Sequence, residues 1–285
     1  MPIDVATALA ADPFDLEYSW DADKIILYHL GIGAGYVNPT AASELEFTYE
    51  ANLKVLPSFA VVPPFHAVWL MNEIPGINVN LVQVLHGEQR FEIQNPIPVE
   101  AAVISSIHVS EIQDKGKAAV IKLESVTRLV GSDEPLFTNY FSIFCRGEGG
   151  FGGDPGSSTN VVVPDRTPDF TVESPTMPQQ ALLYRLAGGD MNPLHAEPMF
   201  AQFAGFDRPI LHGLCTFGIA HKAVVDTALD GDVARVKGFG ARMTGVVFPG
   251  ETIVTNIWDE GGSFVVEAST KERGESVLSN CVLTT

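Results

Sequence analysis

Asp190 and His195 stand five positions apart in residues 188–198, GGDMNPLHAEP, on either side of an Asn192-Pro193 step that breaks any continuous helix. A carboxylate and an imidazole on such a loop suit general acid–base chemistry. One takes a proton from water while the other delivers one to carbon, a positioned transfer that contributes roughly 10²- to 10⁴-fold. The Asn192 side-chain amide is placed to fix the carboxylate rather than to move protons. Further along, His212 and Gly213 open a helix, whose first N–H groups can stabilise a developing oxyanion; losing one such donor costs about 2.7 to 4 kcal/mol. Gly213, having no side chain, lets a ligand approach the backbone. Acid, base and oxyanion donor together describe the addition or removal of water beside an acyl carbonyl. A metal site is the weaker reading, because no further His, Cys or acid follows Asp190 and His195 at the short spacing usual for ligands.

The elements that must position these groups come twice. ILYHLGIGAGYVNP (residues 26–39) resembles LLYRLAGGDMNP (182–193), PPFHAVW (63–69) resembles PILHGLC (209–215), and NPIPVEA corresponds to VVFPGET. Three matches in one order mark a duplicated domain. Each half reads as a short helix, one longer helix and several strands. In the second half the short helix covers residues 179–186, opened by Thr176 with Pro178 just inside it. Leu214, Phe217, His221, Val224 and Ala228 recur at helical spacing, and β-branched runs then alternate with the hairpin signals EGG and KERG. A meander of long strands buries most apolar surface by curling around the long helix. The expected class is therefore α+β, a double hot dog fold: a first domain over 1–147, a Gly/Pro-rich flexible linker over 148–168, and a catalytic domain over 169–285. GEGGFGG lacks the Lys-Ser/Thr end of a phosphate loop and belongs to that linker.

The copies differ where the chemistry would sit. The first keeps Tyr28, Leu30, Asn38 and Pro39 but has no counterpart of Asp190 or His195. A purely structural tie would be needed in both copies, so the pair is read as functional, used once per chain. By the same comparison His212, matched by His66, is read as a residue that starts a helix, and Tyr184, matched by Tyr28, as packing. His29, His86, His108 and His221 lie in apolar patterns that suit satisfied core or surface histidines.

With 17 Lys and Arg against 35 Asp and Glu, the formal charge is −18, which argues against nucleic acid and anionic membrane surfaces as partners. An anionic ligand would need local anchors, and Arg128, Arg185 and Arg242 are weighed as such, although pairing with surface acids is the commoner fate of a single arginine. Cys145, Cys215 and Cys281 suit reduced core positions. No apolar run reaches membrane length, the N-terminus has no secretory pattern and the final VLTT is no peroxisomal signal, so the expected location is cytoplasmic.

YRLAGGDMNPLHAEPMFA, with FDRPILHGLCTFG after it, VLHGEQ and GEGGFGG before it and VVFPGET near the end, resembles the MaoC-like, (R)-specific enoyl-CoA hydratase 2 family. The likeness is closest to the hydratase part of peroxisomal multifunctional enzyme type 2. The resemblance implies that Asp190 and His195 activate a water for addition to C3 of a trans-2-enoyl-CoA and protonate C2, giving the (3R)-3-hydroxyacyl-CoA of fatty-acid or sterol side-chain β-oxidation. Asn192 would orient the pair and the Gly213 N–H would bind the thioester oxygen. Met191, Pro193, Leu194, Arg128, Met243 and Glu88 are the candidate substrate and coenzyme A contacts. Glu88 falls where the family carries an acid that affects activity. The degenerate first half would make room for a bulky tail, no metal or redox cofactor is implied, and a homodimer is expected. Two departures stand out: LAGGD is longer than the family's usual Leu-Ser-Gly-Asp, and Met243 replaces a common aromatic residue. The competing readings are a thioesterase or acyl-carrier-protein dehydratase on the same fold, and a non-catalytic acyl-CoA-binding protein.

Overall fold

A computed structural model of the chain describes residues 3–157 and 160–285; Ser158 and Thr159, within the expected linker, lie outside the described residues. Among the described residues ten strands form one antiparallel sheet. The first half supplies β1 (Phe14–Trp20), β2 (Val84–Ile93), β3 (Ala101–Asp114), β4 (Ala118–Leu129) and β5 (Pro135–Arg146). The second supplies β6 (Phe170–Pro175), β7 (Gly238–Met243), β8 (Thr252–Asp259), β9 (Ser263–Thr270) and β10 (Ser276–Thr284). The sheet order is β1-β3-β4-β5-β2 followed by β7-β10-β9-β8-β6, so each half repeats the same connection pattern and the two are joined at β2–β7. This is the double hot dog architecture.

Strand alternation shows why the sheet curls. On β4, Ala119, Ile121 and Leu123 are buried while Val120, Lys122 and Glu124 are only partly so, and on β9 Val266, Ala268 and Thr270 are buried with Glu267 and Ser269 only partly so. In the second half the sheet wraps the helix Gly213–Ala228, whose residues from Leu214 to Val225 are all buried, as a helix enclosed by a sheet requires. The shorter helix runs Gln180–Gly188. Thr176 does not cap it: its hydroxyl donates to the Glu251 carbonyl at 2.7 Å, tying the helix to the start of β8.

Among the described residues of the first half the expected long helix is absent. Its place is taken by the 3-10 turn Pro57–Val61, a four-residue helix Ala67–Leu70 and the 3-10 turn Met71–Glu73. Pro63 and Pro64 forbid helical continuation before it. After it, the Asn72 side chain bonds both the N–H and the carbonyl of Val79, turning the chain away ahead of Pro75. The volume that a long helix would fill becomes part of a cavity of about 1450 Å³.

GEGGFGG is likewise not a free tether. The Asp114 carboxylate accepts N–H bonds from Gly116 and Gly150 at 2.8 Å, Gly152 at 2.7 Å and Gly153 at 3.3 Å. These bonds hold the Asp114 carboxyl down at about 2. The glycine-rich segment is an anion nest occupied by the protein's own carboxylate.

Candidate active site

The helix Gln180–Gly188 stops at Gly189, which takes the left-handed conformation (φ 76°) that ends helices with least strain. The extra glycine of LAGGD is thus the helix stop that turns Asp190 toward the cavity. Asn192 then caps the 3-10 turn Pro193–His195, its side-chain oxygen accepting from Leu194 N at 3.0 Å. The backbone N–H of Asn192, not its amide side chain, donates to Asp190 Oδ1 at 3.1 Å. Asn192 therefore fixes both partners, the carboxylate through its main chain and the imidazole through the turn.

His195 Nδ1 lies 2.9 Å from the Ile210 carbonyl. A carbonyl only accepts, so Nδ1 carries the hydrogen and Nε2 of the neutral ring offers its lone pair. That Nε2 is 3.8 Å from Asp190 Oδ2, with the two side chains 9% and 15% exposed. The separation is too long for a direct hydrogen bond but lets one water oxygen, about 2.8 Å from each, donate to both. Burial pushes the Asp190 carboxyl above its ordinary range, against the opposing pull of His195, the Asn192 N–H and Arg185. Burial likewise lowers His195, against the favourable Asp190 charge and the Ile210 carbonyl.

His212, expected only to start a helix, stacks on His195 with ring centroids 3.7 Å apart and planes inclined by 26°. Its Nε2–H donates to the Asp190 carbonyl at 3.1 Å, and its buried Nδ1 has no partner among the described residues. Burial, then His195, holds this ring neutral, well below the usual histidine range. The sequence signal that could have found it was the His-Gly pair itself, had the loop been folded back onto its own helix start. Tyr184 lies behind His212 at 5.0 Å between ring centroids, fully buried as packing.

Asp190, His195 and His212 bring ligand atoms within 4.8 Å of one another, a third group that sequence spacing did not reveal. The donor set nevertheless does not suit a metal ion. Stacked imidazoles hold their lone pairs in separate, nearly parallel planes, and a metal must lie close to both ring planes at once.

Gly213, the first residue of the long helix, lines the cavity, and its N–H has no intrahelical acceptor. A Cβ at this position would sit 3.1 Å from Met243 Cγ, so Met243 closes the wall opposite the helix start. Met191, Pro193, Leu194, Met243 and Glu88 also line the cavity. Glu88 accepts from Arg242 Nε at 2.6 Å across the β2–β7 junction, so it anchors the seam between the halves. Arg128 is the exception. It lies at the exposed end of β4, donating to the Asp133 carbonyl, and six residues beyond the cavity-lining Lys122 place it about 20 Å along the strand.

Residues 18–147 match the MFE-2 hydratase 2 N-terminal domain, and residues 159–280 match the MaoC like domain. The chain is 45% identical to enoyl-CoA hydratase ChsH3 of Mycobacterium tuberculosis over 98% of its own length and 97% of that protein. It is 40% identical to the peroxisomal enoyl-CoA hydratase 2 of Arabidopsis thaliana over 94% and 91% of the two chains. The crystal structure of a MaoC-like dehydratase from Phytophthora capsici superposes with a TM-score of 0.86 at 31% identity, covering 99% of this chain and 98% of that one. The expected cytoplasmic location is overturned by these relatives: the Arabidopsis protein and four others are peroxisomal by name. An acidic chain suits either aqueous compartment, so composition could not separate them. Among the described residues no helix is long and apolar enough to cross a membrane. Matched along both halves in order, the chain belongs to the MaoC-like hydratase 2 family.

Proposed function

We infer that the chain is an (R)-specific 2-enoyl-CoA hydratase, a lyase that adds water to trans-2-enoyl-CoA in fatty-acid β-oxidation. The observation that carries the site assignment is the 3.8 Å gap between two buried, oppositely tuned proton carriers at the mouth of a helix. A water held by Asp190 Oδ2 and His195 Nε2 gives up a proton to the dyad as its oxygen bonds C3. The dyad returns a proton to C2, so that H and OH are added and the pair ends as it began. Negative charge gathers on the thioester oxygen in between, where the free N–H of Gly213 at the helix start stabilises it. Asn192 positions both groups, and His212 supports the His195 ring and holds the Asp190 backbone.

In this reading the enzyme is a homodimer. Leu30, Leu182 and Leu186, 37%, 50% and 50% exposed on two short helices that pack together, support an apolar contact face. Sedimentation velocity would measure the assembly directly.

Turnover is tested by following the conjugated enoyl-thioester absorbance with trans-2-enoyl-CoA, and by the chirality of the product. Wild type should bleach the band and give the (3R) alcohol, and Asp190→Asn and His195→Gln should not. Bleaching that survives both substitutions would remove the dyad assignment.

A further inference from the structure

Each copy follows its Asn-Pro step with a short helix, and the two helices are held in opposite ways. In the first half it is Ala42–Thr48. There Phe47 is 1% exposed, and the Glu44 carboxylate accepts from Gly35 N at 2.7 Å and from Lys222 Nζ, on the long helix of the second half, at 3.0 Å. The buried His29 donates from Nδ1 to the Phe47 carbonyl at 2.7 Å, so this helix is bolted to both halves.

In the second half it is Pro198–Phe203, directly after the catalytic loop. Ala201 is buried, but Met199 and Phe203 are 78% and 79% exposed. Among the described residues, the hydrogen bonds of 198–206 all stay within 197–206, as in Ala201 N to the Glu197 carbonyl and Phe206 N to the Ala201 carbonyl. Gly205 follows in the left-handed region at φ 90°, with open space where a Cβ would stand. A segment with little buried surface and no bond to its surroundings belongs to the low end of local stability.

The inner side of this segment faces the reaction. Phe200, Phe203, Phe206 and Ile210 line the same cavity as Asp190 and His195, and among the described residues no charged side chain between 196 and 215 lines it. An apolar wall that begins beside the proton carriers fits the hydrocarbon part of an acyl thioester. Phe203 both lines the cavity and is mostly exposed, so it stands at the rim, where closing over a tail would take its ring out of water.

We propose that residues 198–205 form a hinged gate on the acyl side of the cavity, that Phe203 closes it on the tail, and that it sets how bulky a tail the enzyme accepts. The proposal rests on the hydratase reading for the identity of the tail. The bolted helix of the first half is the fixed counterpart of the moving one.

Two measurements test it. Hydrogen–deuterium exchange compares peptides spanning 41–49 and 198–206, whose helical amides are bonded alike. The second should exchange at least about tenfold faster, and should slow with decanoyl-CoA, which has no double bond to hydrate, but not with free CoA, which has no tail. Equal exchange in the two peptides overturns the gate, as does a response that decanoyl-CoA and free CoA share or both lack. The second measurement is the ratio of kcat/KM for 5-cyclohexyl-trans-2-pentenoyl-CoA to that for trans-2-butenoyl-CoA. Phe203→Ala, which removes an exposed side chain and leaves the core untouched, should raise this ratio by about tenfold. A ratio that stays or falls overturns the role in tail selection. If wild type hydrates neither thioester, the hydratase reading falls and exchange alone decides: slowing by decanoyl-CoA keeps a gate that closes on an acyl tail, and its absence removes both.

Discussion

The helix core of the second half and its counterpart in the first began as the same sequence pattern and now do opposite things. Around Gly213–Ala228 the sheet closes on a continuous helix, and the loop before it carries Asp190 and His195. Around Ala67–Leu70 the helix is reduced to four residues, and the matching loop near Asn38 carries no ionisable pair. The difference is a division of labour: one copy keeps the rigid helix start that aims an N–H at the reacting carbonyl, and the other gives up its helix to the cavity. Phe65, Val68 and Trp69, from the shortened segment, line that cavity together with Leu194 and Gly213. Rigid placement and free volume are hard to obtain from one packed unit, since a helix that fills its sheet leaves no room for a ligand.

The largest effect that can break this comparison is removal of the proton carriers. Asp190→Asn or His195→Gln should each lower kcat by roughly 10²- to 10⁴-fold, whereas Asn38→Ala, at the equivalent exposed loop, should leave turnover unchanged. A comparable loss from Asn38→Ala would mean that the first copy still takes part in the chemistry. Next comes the oxyanion donor. Gly213→Pro deletes the N–H at the first helical position, where proline is tolerated, and His212 before it is already extended at ψ 136°. Its kcat should fall by about 10²- to 10³-fold. Gly213→Ala keeps the N–H and only presses on Met243, so it serves as the steric control; equal losses in the two variants would show that crowding, not the donor, matters.

Much of this division was legible in residue types. Asp190 and His195 stood out because the first copy lacks them, and the strands of both hairpin series were readable from β-branched runs bounded by turn signals. The first-half helix was misjudged because homology between copies outweighed Pro63, Pro64 and Pro75, which were in plain view. The stack of His212 on His195 was hidden because it depends on a loop returning to its own helix start, seventeen residues later in the chain. Arg128 and Arg146 illustrate the limit most clearly. Both are arginines in first-half strands, and only their place along the paired strands decides that Arg146 lines the cavity while Arg128 sits beside a distant turn.

The acid–base tuning of the dyad gives a smaller effect with a definite sign. Burial raises the Asp190 carboxyl and lowers the His195 imidazole, so the imidazole of the coupled pair is charged only at more acid pH than a free histidine. The rate, kcat/KM, should therefore hold through neutral pH and fall on the acid side. Activity that is already falling at neutral pH would count against a neutral His195 in the resting enzyme.

The smallest effect concerns stability, and it distinguishes the two loops by what burial costs them. Because the folded chain binds the Asp190 proton more tightly than the unfolded chain does, the ionised carboxylate destabilises the fold. That penalty is absent at pH below the unfolded value near 3.8 and complete above the folded one. Asp190→Asn keeps an acceptor for the Asn192 N–H and removes the charge, so the inactive variant should melt higher than wild type at pH 7. For a chain of this size the gain is ~2–4 °C for each kcal/mol recovered. The gain should shrink as pH falls toward 4, and Asn38→Ala in the silent loop should show no such pH dependence. A variant that melts lower than wild type at pH 7 would mean that the favourable pull of His195 and Arg185 on the carboxylate outweighs its burial, and that the catalytic loop is held together by its charge rather than strained by it.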